Sequence, residues 1–255
     1  MTKSVAGSRY LPGTYAQKRP DAAQRAQHYV RQWELKADQK RRTSEKLSAA
    51  TVMSPAICFS RKIGVGALEI AELLSKKMGY RVADRMIIEK IASDADLGDK
   101  TVKFFDERHP GQINQLGAFL FGEKSFVMGD YMRKLVSAIF SLAESEPTIF
   151  VGRGTHMILP RDRVLAVRCI SSMEFRIKRV ADILDVSEDS AKKELDEADK
   201  EQRRFFQRAF GKKDASPYEF DLVVNCDYLA QPEWVADIIH QAYTRKFQTE
   251  NGTGA

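Results

Sequence analysis

The sequence predicts an α/β fold in which a five-stranded parallel sheet is covered by helices on both faces and preceded by a helical N-terminal extension. Five short apolar runs alternate with segments whose apolar residues follow helical spacing, and this alternation is typical of doubly wound parallel sheets. In chain order the runs are 56–60, 80–83, 148–151, 163–170 and 221–225. The first run ends in a Gly-x-Gly turn directly before a helical pattern, which indicates an anion-binding loop.

The composition indicates a protein of the cytoplasm. Hydrophobic residues make up 43% of the chain and charged residues 30%, which suits a folded core with a charged surface. No apolar run approaches the roughly 20 residues that cross a bilayer, and the first residues lack the apolar stretch of a secretory signal. The cysteines, Cys58, Cys169 and Cys226, are far apart and form no C-x-x-C pair. This spacing argues against a disulfide framework and a zinc site.

The basic residues are concentrated at the N-terminus. Residues 1–50 hold 11 Lys and Arg against 4 Asp and Glu, whereas the remaining 205 residues hold 30 against 31. Such an extension suits an acidic partner such as nucleic acid, a ribosome surface or anionic lipid. Alternatively, its helix docks on its own domain. That helix is expected from Asp21 onward because apolar residues recur at helical spacing, at Ala22, Ala26, Tyr29, Val30, Trp33 and Ala37.

These features divide the chain into three parts. Residues 1–53 form the basic extension, which we expect to be disordered up to Pro20 and helical beyond. Residues 54–248 form the α/β domain, and 249–255 form a disordered tail. Within the domain, residues 93–129 show no clear pattern, and the last helix, 232–247, is expected to bury its apolar stripe. That stripe consists of Trp234, Val235, Ile238, Ile239 and Tyr243.

The loop after the first strand is the predicted phosphate site. Glycines let successive N–H groups point into one concavity, and the following helix adds its dipole. The usual pattern G-x-x-x-x-G-K-[ST] is not met, because Ala67 replaces the lysine and Leu68 the hydroxyl residue. Arg61 and Lys62 are the nearest residues that could replace the lost charge. The residues expected to hold phosphate are Ser60, Arg61, Lys62, Gly64, Val65, Gly66, Ala67 and Leu68.

Further candidates lie at the carboxyl ends of other predicted strands, where ligands bind in such sheets. Arg153 follows the third run between two glycines, and its planar guanidinium suits a phosphate or, alternatively, a neighbouring carboxylate. Asp84 and Arg85 follow the second run. They are either part of the same rim, or Asp84 simply caps the next helix.

Arg203, Arg204 and Arg208 lie within about a turn of one another on a predicted helix. They form either a solvated charged face or a lid that closes over a transferred phosphoryl group. In the second case Asp199 and Glu201 would orient them.

Five segments in order resemble the cytidylate-kinase-like family. They are S-R-x-x-G-x-G-x-x-x-I at 60–70, G-Y-x-x-x-D-R at 79–85, V-G-R-G at 151–154, D-K-x-x-R-R at 199–204 and F-D-L-V-V-N at 220–225. The resemblance covers about 57–247. It implies a three-layer P-loop NTPase fold with a five-stranded parallel sheet, ATP at the loop 60–68, and Mg²⁺ between the phosphates.

The resemblance also implies roles for the candidate residues. Arg153 and the lid arginines (Arg203, Arg204 and Arg208) would act on the transferred phosphoryl group, and the acceptor would lie near Asp84, Arg85 and Arg153. Two positions depart from the cytidylate kinases. Ala67 stands at the lysine position, and Gly154 stands where those enzymes have an aspartate that helps to read the nucleoside.

The function that follows is ATP-dependent phosphoryl transfer to a nucleoside monophosphate, CMP or dCMP by the family's name. The alternative is a nucleotide-binding regulatory protein without turnover, whose basic N-terminus binds nucleic acid, a ribosome or a partner protein. Ala67, Leu68 and Gly154 motivate this alternative.

Overall fold

Five parallel strands form the central sheet of the computed structural model, which describes residues 21–42, 53–108 and 129–247. The strands are β1 (Ala56–Arg61), β2 (Arg81–Asp84), β3 (Thr148–Val151), β4 (Val164–Ile170) and β5 (Leu222–Asn225). They lie in the order β2-β3-β1-β4-β5, with every neighbouring pair parallel. The predicted fold class is thereby confirmed. The predictions for residues 1–20 and 249–255 lie outside the described residues.

Helices connect the strands and follow the predicted periodicity. Gly79 ends α2 in a left-handed conformation, as its position after the apolar pattern suggests. In chain order the helices are α1 (Ala22–Arg42), α2 (Ala67–Met78), α3 (Arg85–Ser93), α4 (Ala95–Arg108), α5 (Asp130–Ser145), α6 (Thr155–Ile158), α7 (Met173–Leu184), α8 (Glu188–Phe210) and α9 (Pro232–Phe247). No helix in these described ranges is long and apolar enough to cross a bilayer.

Two apolar layers cover the sheet, and the alternation of side chains along β1 separates them. Cys58 faces the layer that contains α1, α3 and α5, together with Phe150 of β3. Ile57 and Phe59 face the opposite layer, which contains α2 and α9. All six residues of β1 are buried, as expected for a strand in the middle of a three-layer fold.

The strand order places a ligand-binding crevice at the carboxyl end of β1. From β1 the chain runs through α2 to β2 at one edge, whereas from β4 it runs through α7 and α8 to β5 at the other. Adjacent strands whose connections leave in opposite directions open a crevice between them. The loop between β1 and α2 therefore lies where ligands bind in this class of sheet.

Helix α1 docks on its own domain. Ala26 is fully buried, Val30 is buried beside it, and the Tyr29 hydroxyl donates a hydrogen bond to the Val82 carbonyl at 3.3 Å. The Arg81 guanidinium lies 4.9 Å from the centre of the Tyr29 ring. The apolar stripe of the extension therefore packs against α3 and the edge strand β2, and so protects an otherwise open edge.

The structure corrects two of the sequence-based expectations. Part of the unassigned segment 93–129 is helix α4, in which Leu97, Thr101 and Phe105 are buried at helical spacing. Trp234 and Ile238 do not belong to the inner face of α9, because their exposed fractions are 59% and 41%. The buried residues of α9 instead follow the row Val235, Ala236, Ile239 and Tyr243.

The docking of α1 is testable with two alanines of the same helix. We expect Ala26→Asp to lower the free energy of unfolding by about 2 kcal/mol or more, because it places an unpaired carboxylate in an apolar contact. Ala23→Asp, on the exposed side of the helix, is the matched control and should change stability by about 0.5 kcal/mol or less. Chemical denaturation measures both, and equal effects would contradict the docked helix.

His156 in α6 predicts a pH dependence of stability. It is 5% exposed and its ring centre lies 4.7 Å from that of Phe220; burial lowers its pKa to about 4, although Glu219 is nearby. Because the folded pKa lies below the unfolded value near 6.5, the unfolded state binds the extra proton. Stability therefore falls between about pH 6.5 and 4. We expect His156→Phe to lose less stability over this pH range than the unmodified protein, as measured by chemical denaturation. An identical pH dependence in the two proteins would contradict the role of His156.

Candidate nucleotide site

The glycine loop between β1 and α2 has the backbone of an anion-binding site. Gly64 and Gly66 have φ angles of +86° and +88°, which glycine adopts without steric cost. The first hydrogen bond of α2 runs from the Ile70 N–H to the Gly66 carbonyl at 3.1 Å. The preceding N–H groups of the first turn therefore have no intrahelical acceptor and carry the positive end of the helix dipole.

The side chains of the loop add no charge at the helix start. Ala67 is 3% exposed and belongs to the apolar layer formed by α2 and α9, and Leu68 packs against the same layer. Positive charge for a bound nucleotide therefore has to come from other parts of the chain.

Helices α7 and α8 pack directly onto the loop. Gly64 lies so close to them that a Cβ atom there would be 3.1 Å from both Leu195 and Val180. The Arg176 guanidinium donates to the Ile63 carbonyl at 3.1 Å and pairs with Asp199 at 3.0 Å, with both side chains buried. These contacts hold the loop against the two helices.

Three predicted arginines meet on the side of the loop that faces β3. Arg61, Arg85 and Arg153 line an open cavity of about 380 Å³, together with Ser60, Ile63, Gly152, Gly154, Gln202 and Phe206. Arg153 and Arg85 each form an ion pair with Glu89. The distance from Arg85 Nε to Glu89 Oε2 is 3.1 Å. Arg85 also lies 3.6 Å from Glu201. Arg153 thus has the carboxylate partner of one interpretation and lines the cavity that the other requires.

The electrostatics of Arg153 favour an additional anion. Its side chain is 8% exposed, and its Nε atom makes no hydrogen bond with the described residues. Burial, followed by the positive charges of Arg85 and Arg61, lowers the pKa of Arg153 to about 8, against an opposing effect of Glu201. A phosphate in this cavity would relieve the repulsion among the three cations.

A second group of charges lies on the side of the loop that faces β4. Arg168 of β4 donates to the Ser60 hydroxyl at 2.9 Å and pairs with Asp214 at 2.8 Å. Lys62 pairs with the same Asp214 at 3.0 Å. Lys62 therefore joins the loop to the segment that precedes β5.

The three predicted lid arginines do not lie on the same side of α8. Arg203 lines a cavity of about 290 Å³ with Lys62, Arg168 and Asp214. Arg204 and Arg208 are exposed, and the helical turn of about 100° per residue places them on the far side of α8 from that cavity. Asp199 pairs with Arg176 and Glu201 lies near Arg85, so neither is paired with these arginines in an ion pair of the described residues.

Two rim residues have clear local roles. The Asp84 carboxylate accepts a hydrogen bond from the Ile87 N–H at 3.0 Å and so caps α3, as one of the two interpretations predicted. Gly154, at φ +66°, contacts Phe210 so closely that a Cβ atom would lie 2.5 Å from its ring. Phe210 therefore occupies the space in which a carboxylate at position 154 would lie.

Several residues of this site were not among the candidates from the sequence. Arg168 had a visible signal, because it is a charged residue inside the apolar run V-L-A-V-R-C-I. Gln202, whose amide donates to the Arg61 carbonyl at 3.0 Å, and Asp214 had none. Their partners in β1 and β4 are far away in the sequence, and no local pattern identifies such pairs.

Solved structures are similar to this chain over most of its length. An uncharacterized protein from Eubacterium ventriosum ATCC 27560 has 16% identity and a TM-score of 0.55, covering 74% of this chain and 99% of its own. A shikimate kinase from Acinetobacter baumannii, in complex with shikimate, has 12% identity and a TM-score of 0.39, covering 79% and 96%. The first likeness concerns the fold alone, and the second is too distant to support an argument. No curated protein matches the chain.

Residues 56–228 match the cytidylate kinase-like family. This range runs from the start of β1 through the glycine loop, the arginine cluster and β5, and it comprises more than half of the sequence. The match agrees with the five-stranded α/β fold and supports a kinase-like protein that binds a nucleotide. The chain therefore belongs to the cytidylate kinase-like family.

Proposed function

We propose that this chain transfers the γ-phosphoryl group of ATP to a nucleoside monophosphate, with CMP or dCMP as the acceptor. The observation that carries the proposal is the meeting of Arg61, Arg85 and Arg153 in one cavity beside the glycine loop. Their positive charge, only partly offset by Glu89 and Glu201, suits two phosphate groups that must approach each other.

Each part of the site has a role in this reaction. The N–H groups of the loop and of the first turn of α2 bind the phosphates of ATP. Arg153 and Arg85 bind the acceptor phosphate, and Arg61 lies between the two ligands. An oxygen of the acceptor phosphate attacks the γ-phosphorus, the bond from that phosphorus to the β–γ bridging oxygen breaks, and ADP leaves. Such transfer depends on positioning and neutralised charge rather than on a strong base.

Magnesium would be held mainly by the nucleotide. No group of three or more His, Cys, Asp or Glu in the described ranges is arranged to bind a metal, and Leu68 supplies no hydroxyl. Mg²⁺ commonly keeps several waters and binds substrate phosphates with few protein ligands. Bound in this way, it would supply charge neutralisation at the phosphates.

Arg203 supports the lid function best among its neighbours. It lies on the same face of α8 as Gln202 and Phe206, both of which line the arginine cavity. Arg204 and Arg208 would need a rotation of the helix to reach a phosphate, and they stay predictions of the sequence.

The choice of CMP or dCMP is supported by the family alone. Position 154 is a glycine, and Phe210 fills the space beside it, so no carboxylate there can read the base. Recognition of the base would therefore rest on other groups. An acceptor screen should therefore include all common monophosphates.

Arg153 provides the first test. Arg153→Met keeps much of the side-chain volume but removes the charge, and it should lower kcat/KM for the acceptor by about 10²–10³. Arg163→Met is the matched control, because Arg163 is half-buried at the opposite end of β4, away from the cavity, and its loss should leave the rate within about twofold. Steady-state kinetics measures both. Equal rates for the two variants would contradict the assigned role.

A regulatory protein without turnover is the second candidate. It is favoured by Ala67, which is buried in the apolar layer, and by Leu68, which packs partly buried against it, because the loop then lacks its usual lysine and hydroxyl. In this case the basic residues of 1–50 would bind nucleic acid, a ribosome or a partner protein.

Thermal stability and product formation separate the two candidates. Ligand at about 100 times its Kd should stabilise the fold by about 2.7 kcal/mol in either case. A kinase should in addition convert ATP and CMP or dCMP to two diphosphates, which chromatography detects. Stabilisation without product from any of AMP, GMP, UMP, CMP and dCMP would exclude the kinase and leave the regulatory protein.

A further inference from the structure

We propose that Arg179 of α7 binds the phosphates of ATP in place of the lysine that the glycine loop lacks. This inference rests on the proposed nucleotide site and names the residue that supplies its missing charge. The charge that a lysine of the loop usually supplies would then come from α7, a helix that packs on the loop.

The position of Arg179 carries the inference. A Cβ atom on Gly66 would lie 3.1 Å from its Nη2, 3.2 Å from its Nε and 3.3 Å from its Cζ. The guanidinium therefore lies flat against the residue that caps the N-terminus of α2. The cation thus lies beside the first turn of α2, and a phosphate bound by the N–H groups of that turn would contact both.

The other cations around the loop point elsewhere. Arg61 lies near Gly152, 3.8 Å from the position of a Cβ atom there, on the side of β3. Lys62 pairs with Asp214 on the side of β4. Arg176 is bound to the Ile63 carbonyl and to Asp199. Among the described basic residues of the loop and α7, Arg179 is therefore the one placed at the start of α2.

Glu69 holds Arg179 in this position. Its carboxylate, in the first turn of α2, accepts from Nη2 of Arg179 at 2.6 Å. A guanidinium has five N–H donors in a fixed fork, so one carboxylate oxygen leaves donors for a phosphate. The Arg179 side chain is 20% exposed, and a ligand can reach it from solvent.

Calorimetric titration with Mg·ATP tests the assignment on the full-length protein. Arg179→Met should raise the Kd by about 10- to 100-fold, as expected for a lost charged hydrogen bond. Lys178→Met is the matched control, because Lys178 is the neighbouring cation on α7 but is 59% exposed and pairs with Glu174. Its loss should change the Kd by about twofold or less. Inorganic tripolyphosphate, titrated in parallel, should show the same difference between the two variants.

Two further variants separate charge from structure. Glu69→Gln keeps an oxygen that can accept the hydrogen bond from Arg179 and removes only the competing negative charge, so its Kd should stay equal or fall. Arg179→Lys should retain part of the affinity that Arg179→Met loses. Melting temperatures without ligand confirm that each variant folds, and Arg179→Lys takes the place of Arg179→Met if the latter does not.

The outcomes are distinct. An unchanged Kd in Arg179→Met, or an equal loss in Glu69→Gln, would overturn the role of Arg179 while the nucleotide site itself stands. Absence of ATP binding to the unmodified protein would overturn the proposed function, and this inference with it.

Discussion

The packing of α7 and α8 on the glycine loop is the contact on which the site depends. Gly64 allows Leu195 and Val180 to approach the backbone, and the buried pair of Arg176 and Asp199 joins the two helices and binds the loop through the Ile63 carbonyl. Removing one partner of such a buried pair commonly costs several kcal/mol, because the other charge stays buried. The loop conformation and the positions of Arg176 and Arg179 beside it follow from this contact.

Positive charge reaches the loop from the surrounding elements. Arg153 and Arg85 leave the ends of β3 and β2, whereas Arg168 is held in β4. Charges on strands and packed helices are positioned by the core and lose little freedom on binding a ligand. The cost is burial of charge and, after it, mutual repulsion, which together lower the pKa of Arg153. Glu89 offsets part of it through its pairs with Arg85 and Arg153.

The N-terminal helix α1 contacts the elements that carry the arginine cavity. Through Tyr29 it binds the carbonyl of Val82 in β2, two residues before Asp84, which caps α3. Because α1 also packs against α3, the extension supports the strand end from which Arg85 enters the arginine cavity. The basic extension is thus partly a structural element, whatever its residues 1–20 bind.

The sequence by itself determined the α/β class, the approximate strands and most helices, and the glycine loop, and it offered the cap at Asp84 as one of two alternatives. These are local properties, carried by apolar periodicity and by turn and cap residues. It placed Arg61 in the phosphate loop and Arg85 and Arg153 among the candidates at the ends of other strands, where ligands bind in such sheets. Only the tertiary structure decided which residues surround the loop. Arg179 and Glu69 are 110 positions apart, and only the folding of α7 and α8 back onto β1 brings such residues into contact.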